Sequence, residues 1–285
     1  MPKNKIIEQA LSAAERPILL ESVAQLESAS SHWSESDILG IDTEFVRERT
    51  YRADLGLVQI SDGVTAWLAD PVLLDSLDGL TSLMKRRETI KILHSGSEDL
   101  EVLSNDLGAL PDPLIDTQIA CALLGQPLQM GYHTTVKWLM DVEIDKDQTR
   151  SNWLRRPLTA KQLRYAAMDV VLLPAMYGML KQRLEDAGRM EWLQEEVERM
   201  KQTSTQPVEP ETSYLRFNRT GHLDDSGMRI LQALAQWREI TARERNLARG
   251  FVISDAVLMG LVLTRPTRMA QVRDIEGMHP RAAAR

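Results

Sequence analysis

The first part of the chain alternates short apolar runs with longer segments of helical periodicity. Apolar runs typical of buried strands lie at 17–20, 38–46, 55–61, 64–69 and 90–93. The tight-turn sequence Ser61-Asp62-Gly63 joins two of them, so the middle three strands are predicted to form an antiparallel meander. Apolar residues recur every three or four positions, as in amphipathic helices, at 22–33, 73–87, 97–107, 116–124, 132–141 and 159–187. These elements predict an α/β fold built in layers.

A polar segment divides the chain. Residues 191–200 have a charged helical pattern, whereas Gln202–Ser213 contains two prolines and almost no apolar residues, which is typical of a linker. Helical periodicity resumes at 226–246, 254–263 and 267–275. The pattern therefore predicts a larger α/β domain over residues 1–201, a linker over 202–213 and a small all-α domain over 214–285.

Two carboxylates follow the apolar start of the strand at 38–46. In ILGIDTEFV, Asp42 and Glu44 are two residues apart, so both side chains point to one face of a strand. Two anionic groups side by side repel each other and are costly to desolvate. A divalent cation such as Mg²⁺, which prefers oxygen ligands, is the simplest compensation. The alternative is that the strand ends at Ile41 and both acids are solvated loop residues.

A second acidic stretch, HSGSEDLEVL, follows the strand at 90–93. Ser97 is predicted to cap a helix whose first turn contains Glu98 and Asp99. Carboxylates are favoured at a helix N-terminus by the helix dipole. This electrostatic preference alone is sufficient to explain why residue 98 is a glutamate.

A third stretch, YAAMD, lies inside a long helical pattern. Thr159 and Gln162 form a capping-box sequence at its start. Tyr165 and Asp169 are four residues apart and therefore share one helix face. Pro174 is predicted to kink this helix or end its regular part. Taken alone, the tyrosine could be a half-buried aromatic and the aspartate a surface charge.

Charge is distributed unevenly along the chain. The net charge is −7 overall, but residues 213–285 contain 12 Lys and Arg against 7 Asp and Glu. An acidic first part with an arginine-rich end suits a metal-dependent nuclease with an accessory binding module. The single cysteine, Cys121, fits a reducing cytosol, and no run approaches the length of a membrane span. A cytoplasmic location is therefore expected, with no membrane association.

Together the three acidic stretches resemble a known family. DTEF at Asp42, SEDLEVL around Asp99 and YxxxD at Tyr165 and Asp169 match, in order, the motifs of the DEDD superfamily of 3′–5′ exonucleases. The tyrosine marks the tyrosine branch. A closer resemblance to bacterial ribonuclease D is carried by DTEFVRERTYRADLGLVQISDG, HSGSEDLEVL, PLIDTQIA, WLRRPLT and YAAMDVVLLP. It implies the ribonuclease H-like exonuclease fold, a mixed sheet flanked by helices.

The last part of the chain resembles the HRDC domain, a small all-α module. DIEGMHP at 274–280 matches a turn late in that domain. The domain is therefore expected to lack its final helix in this chain, and a second copy common in the family is absent from the sequence.

The resemblance also implies a site with two divalent metal ions, Mg²⁺ or Mn²⁺. Asp42 would bridge both ions, and Glu44 and Asp169 would complete the position that holds the attacking water. Asp99 would hold the second ion, partly through water. Tyr165 would orient the attacking water, since an ordinary tyrosine titrates near pH 10 and is a poor base at neutral pH.

Several other residues are candidates with two interpretations each. Phe45 either stacks on a terminal base or packs, and Arg155 and Arg156 either contact phosphate or form a solvated basic pair. Asp116 in LIDTQ is expected to cap a helix or support the site rather than to bind metal. His94 is expected to be a strand-end residue, because Mg²⁺ does not favour imidazole.

The sequence thus predicts a metal-dependent 3′–5′ exoribonuclease that trims RNA 3′ ends and releases nucleoside 5′-monophosphates. The resemblance alone implies RNA as the partner, in the form of tRNA precursors and other structured RNA with 3′ extensions. Alternatives are a 3′–5′ DNA exonuclease on the same fold and a non-catalytic RNA-binding module. No obligate protein partner is indicated. The following arginines are expected either to contact the RNA backbone or to solubilise the small domain: Arg238, Arg243, Arg245 and Arg249.

Overall fold

The computed structural model describes residues 3–144, 151–218 and 220–278. The chain forms two compact units, one made of Met1–Val46 with Asp54–Thr205 and the other of Arg47–Ala53 with Gln206–Arg285. The boundary between the units after Thr205 lies within the segment 202–213 that was predicted as a linker, although parts of this segment are helical. A helix continues to Thr205, and a 3₁₀ helix occupies Pro210–Arg216.

The first unit contains a sheet and nine described helices. Its strands are β1 (Ile18–Leu20), β2 (Ile38–Val46), β3 (Asp54–Ser61), β4 (Ala66–Ala69), β5 (Ile90–Leu93) and β6 (Leu114–Asp116). Its helices are α1 (Lys3–Ala14), α2 (Val23–Trp33), α3 (Asp78–Lys85), α4 (Ser97–Leu107), α5 (Thr117–Leu123), α6 (Tyr132–Met140), α7 (Ala160–Val171), α8 (Leu173–Asp186) and α9 (Met190–Thr205). Strand β6 was not predicted, because three residues are too short to give a periodic signal.

The strands form one mixed sheet in the order β1-β4-β3-β2-β5-β6. The β2–β3 and β3–β4 pairs are antiparallel, which confirms the predicted meander, and the other pairs are parallel. Strand β2 is continuous from Ile38 to Val46, with a register shift between Glu44 and Phe45. Asp42 and Glu44 therefore both lie on an inner strand, and the alternative of two solvated loop acids is wrong.

A glycine brings the junction of α7 and α8 close to β2. A Cβ at Gly40 would lie 2.6 Å from the Val170 carbonyl oxygen and 2.9 Å from the Leu173 Cβ. The Thr159 capping box starts α7, and the helix is interrupted at Leu172, two residues before Pro174, as the sequence predicted. This close approach places the end of α7 against the acidic end of β2.

The α7–α8 stretch contradicts the expectation that no run approaches the length of a membrane span. Ala160–Asp186 is 27 residues long and apolar enough, by length and composition, to cross a membrane. However, 56% of its most apolar window is buried inside the fold. The apolar residues of this stretch are therefore core residues of the sheet-and-helix unit.

The second unit is all-α in its described part, as predicted. It contains the 3₁₀ helix and α10 (Asp225–Glu244), α11 (Arg249–Val252), α12 (Asp255–Thr264) and α13 (Met269–Arg273). Its buried core consists of Leu231, Ile253, Val257, Leu258 and Val262. The predicted turn at 274–280 falls partly outside the described residues.

Three of the four arginines expected to face RNA or solvent instead hold this unit together. The Arg238 side chain is 6% exposed and donates to the Asp255 carboxylate at 2.5 Å. Arg249 donates to both oxygens of the buried Glu239 carboxylate, and Arg243 donates to one of them. The expectation of backbone contacts or solvation is therefore wrong for these three, whereas Arg245 is exposed.

Candidate active site

Three carboxylates from two elements converge at the end of β2. Asp42 and Glu44 point to the same face of the strand, and Asp169 reaches them from the last turn of α7. One ligand oxygen from each of these residues lies within 4.8 Å of the others. This spacing is suitable for a shared divalent cation.

Asp99 lies next to this group in the first turn of α4. Its Oδ1 accepts hydrogen bonds from the Thr43 backbone N–H at 3.1 Å and from the Thr43 hydroxyl. Gly96, not the predicted Ser97, is the N-cap of α4. Glu98 is exposed on the same turn, as expected for a residue that only complements the helix dipole.

The four acids destabilise one another's charge. Burial raises the pKa of Glu44 to about 9, and Asp169 and Asp99 add to the rise. Burial raises the pKa of Asp169 to about 7 and that of Asp99 to about 6. Burial and the neighbouring Asp99, Asp169 and Glu44 also raise the pKa of Asp42 well above its usual value. A set of acids that cannot all ionise by themselves fits a divalent cation as the missing positive charge.

Tyr165 lies one helical turn before Asp169 on α7, and both side chains line the same cavity. Burial and the nearby carboxylates raise the pKa of Tyr165 above its ordinary value. The phenol therefore stays protonated at neutral pH, and it can orient a water molecule but is not a strong base.

A cavity of about 260 Å³ opens beside the acids. Besides Asp42, Tyr165 and Asp169, it is lined by four residues that sequence reasoning did not assign to the site: His94, Tyr132, His133 and Leu173. The Tyr132 hydroxyl donates to the Met168 carbonyl oxygen at 2.8 Å. No periodicity or motif in the sequence marks α6 as part of the site, because its contribution depends on tertiary packing.

Asp116 connects the starts of two helices. Its Oδ1 accepts from the Gln118 and Ile119 N–H groups and caps α5, as predicted, while its Oδ2 accepts from the Gly96 N–H before α4. His94 at the end of β5 is hydrogen-bonded to the Thr117 hydroxyl and the Met130 carbonyl. These bonds fix the segment between β5 and α4, and therefore the start of the helix that carries Asp99.

Arg156 contradicts both sequence interpretations. Its Nε and one Nη donate to the two Asp70 oxygens at 2.5 Å each. Its other N–H groups donate to the backbone carbonyls of Trp153, Arg155 and Gly56. Since a guanidinium has five N–H donors, the protein itself occupies all of them, and Arg156 is neither a solvated charge nor a phosphate ligand.

The remaining substrate candidates stay predictions. Arg155 is exposed in the segment before α7, and Phe45 is half-buried on β2 directly after Glu44. Both positions are compatible with contact to a bound nucleotide.

The raised pKa values predict a pH-dependent response to metal. In the metal-free folded protein the acids retain protons that the unfolded chain releases near pH 4. The folded state therefore binds more protons, and the free energy of unfolding falls as pH rises from about 4 to about 9. Mg²⁺ binds the carboxylate form, so we expect the melting temperature to rise more on Mg²⁺ addition at about pH 9 than at about pH 5.

Differential scanning calorimetry with EDTA and with Mg²⁺ at both pH values measures this effect. Glu98→Gln is the control, because it removes an exposed acid from the same helix as Asp99 and should leave the response unchanged. An equal Mg²⁺ shift at both pH values would mean that the acids are already ionised without metal.

Comparisons with known proteins agree with this geometry. A family model described as a 3′-5′ exonuclease matches residues 17–185, and an HRDC domain model matches residues 228–285. Ribonuclease D of Pseudomonas paraeruginosa is 38% identical over 258 residues, which cover 90% of this chain and 68% of that protein. The crystal structure of Escherichia coli RNase D, described as an exoribonuclease involved in structured RNA processing, superimposes with a TM-score of 0.87 at 33% identity. That match covers 94% of this chain and 72% of the E. coli chain.

A more distant structure contains a metal. Brucella melitensis NrnC with bound Mg²⁺ has a TM-score of 0.58 at 28% identity and covers 73% of this chain and 98% of its own. The fold, the acidic site and the matched models define a 3′-5′ exonuclease domain with an acidic cluster suited to divalent metal, followed by an HRDC domain. The chain belongs to the ribonuclease D family. It spans 64 to 68% of the length of three curated relatives in that family.

Proposed function

We propose that this protein is a divalent-metal-dependent 3′–5′ exoribonuclease that trims the 3′ ends of structured RNA, tRNA precursors included. Each cycle removes one nucleoside 5′-monophosphate. The observation that supports this proposal is the convergence of Asp42, Glu44 and Asp169 within 4.8 Å, with Asp99 and Tyr165 beside them.

The reaction requires a water oxygen to attack phosphorus while the bond to the preceding 3′ oxygen breaks. The products are a shortened RNA with a free 3′-hydroxyl and a nucleoside 5′-monophosphate. Two bound ions, Mg²⁺ or Mn²⁺, would supply charge neutralisation for the attacking and leaving oxygens. Mg²⁺ suits the all-oxygen ligand set, and the NrnC relative binds it.

The chain's own residues have distinct roles in this proposal. Asp42, Glu44, Asp99 and Asp169 would hold the cations through their carboxylate oxygens. Tyr165 orients the attacking water through its hydroxyl, which its raised pKa keeps protonated. Phe45 and Arg155 are proposed to contact the terminal nucleotide, and the exposed Arg245 is available to the RNA backbone.

RNA as the substrate is supported by the family relationship rather than by the acids, since the same metal chemistry cleaves DNA. A 3′–5′ DNA exonuclease is therefore the second candidate. We also propose a cytoplasmic location, in line with the absence of disulfides from a chain whose one cysteine is buried in the core.

A time course on 5′-labelled RNA and on DNA of matched sequence tests the proposal. Each substrate has a single-stranded 3′ tail, and each is incubated with Mg²⁺, Mn²⁺ or EDTA. We expect a ladder that shortens from the 3′ end on RNA, that is absent with EDTA and that is much slower on DNA.

Other outcomes are equally informative. If DNA is shortened as fast as RNA, the proposed hydrolysis reaction stands, but RNA is not the specific substrate. If RNA is bound but is not shortened with either metal, the protein is a binding module and not an enzyme.

A further inference from the structure

We infer that Trp153 is a positioning residue that holds the Tyr165 ring in its working orientation, and that Asp70 and Arg156 hold Trp153. The inference rests on the proposed function, because it concerns the orientation of Tyr165 during hydrolysis. Trp153 itself touches neither substrate nor metal and acts only through Tyr165.

The two aromatic rings pack against each other. Trp153 is 2% exposed, and its ring centroid lies 6.1 Å from that of Tyr165, with the ring planes tilted by 33°. Tyr165 and Asp169 lie one helical turn apart on α7, and both line the cavity beside the acids. The indole therefore supports the phenol ring along its length, beside a carboxylate of the acidic site.

A tryptophan in an irregular segment can position another residue only if its own backbone is fixed. Residues 151–158 contain no helix or strand. Arg156 fixes the backbone of this segment instead. It donates to the Trp153 carbonyl at 2.7 Å and to the Gly56 carbonyl on β3 at 2.7 Å, and so connects the segment to the sheet. The same guanidinium forms a two-point ion pair with Asp70, whose side chain is fully buried.

A glycine allows this segment to lie directly against the sheet. A Cβ at Gly56 would be 2.8 Å from the Trp153 carbonyl oxygen and 2.9 Å from the Trp153 Cβ. Strand β3 is paired with β2, which carries Asp42 and Glu44. The sheet therefore positions both the tryptophan and two of the acids, Asp42 and Glu44. Because Trp153 packs against Tyr165, the same sheet also sets the distance between Tyr165 and those acids.

This arrangement has a kinetic consequence. A misplacement of about 1 Å in a catalytic group costs roughly a hundredfold in rate. An untethered Tyr165 ring should therefore lower kcat, while the binding of RNA and of metal, which involves other groups, changes little. A tryptophan that only fills the core would instead lower the melting temperature and leave kcat of the folded enzyme unchanged.

The test is a double-mutant cycle on the full chain with 3′-tailed RNA and Mg²⁺. The variants are Trp153→Leu, Tyr165→Phe and the two combined, with Trp153→Phe as the conservative control. We expect Trp153→Leu to lower kcat by about tenfold to a hundredfold with KM within about twofold. Trp153→Phe should retain most of the activity, and Trp153→Leu should have no further effect once Tyr165 is phenylalanine.

Two results would overturn the inference. One is an unchanged kcat in folded Trp153→Leu, and the other is an equal loss from Trp153→Leu in the wild-type and Tyr165→Phe backgrounds. If Trp153→Leu does not fold, Arg156→Lys keeps the charge, removes the five-donor fork and should show the same loss of kcat that depends on Tyr165. Failure of the wild-type enzyme to shorten RNA overturns the proposed function itself, which distinguishes the two failures.

Discussion

Replacement of Asp42 by asparagine should abolish RNA trimming and at the same time stabilise the metal-free protein. Asp42 lies in the acidic group, where burial first and then the charges of Asp99, Asp169 and Glu44 raise its pKa. Loss of this carboxylate should lower kcat by about a thousandfold or more, equivalent to roughly 4 kcal/mol of transition-state stabilisation. Removal of one of four mutually repelling acids should raise the melting temperature measured in EDTA above pH 7.

Asp62→Asn is the matched control. Asp62 lies in the turn between β3 and β4, where its Oδ1 accepts from the Val64 and Thr65 N–H groups. An asparagine oxygen can accept the same bonds, so trimming and melting temperature should match the wild type. If Asp42→Asn trims RNA at more than about a tenth of the wild-type rate, Asp42 is not a metal ligand. A lower melting temperature in EDTA would contradict the electrostatic explanation.

Asp70→Ala should be among the most destabilising single substitutions in the first unit. The Asp70 side chain is fully buried, and the Arg156 side chain paired with it is 15% exposed. Removal of one partner of a buried ion pair leaves an uncompensated charge and costs about 3–5 kcal/mol. In a chain of this size we expect a fall in melting temperature of about 10 °C, measured by circular dichroism.

A surface ion pair provides the comparison. Glu15 and Arg164 are 2.7 Å apart, but their side chains are 53% and 45% exposed. Because solvent screens such pairs, Glu15→Ala should cost less than about 1 kcal/mol. Equal effects of the two substitutions would mean that burial does not set the strength of the Asp70–Arg156 pair.

Local sequence patterns were sufficient to predict the elements that carry the acids. Strand alternation predicted that Asp42 and Glu44 share a face, and helical spacing predicted that Tyr165 and Asp169 do so. These predictions succeed because each depends on residues a few positions apart. The family resemblance was needed to predict that these elements meet in one site, because periodicity alone carries no information about contacts between elements.

Contacts between distant residues could not be predicted in the same way. Arg156 was interpreted from its neighbours as a phosphate ligand or a solvated charge, but its partner Asp70 is 86 positions away. Arg238 was assigned a surface role, although Asp255 on the following long helix pairs with it. An arginine on an amphipathic pattern looks the same whether a distant carboxylate meets it or not, so only the fold distinguishes these cases.

The membership of residues 47–53 in the second unit bears on how the protein can be dissected. Within that unit the Tyr51 hydroxyl donates to Glu239 at 2.5 Å, the Ala248 N–H donates to the Arg49 carbonyl, and the Arg52 N–H donates to Asn246. The nuclease unit is thus discontinuous in sequence, and a fragment ended at Thr205 retains a piece of the other unit without its partners. A single cut therefore cannot separate the two units, because truncation after Thr205 also leaves residues 47–53 without the partners that they have in the second unit.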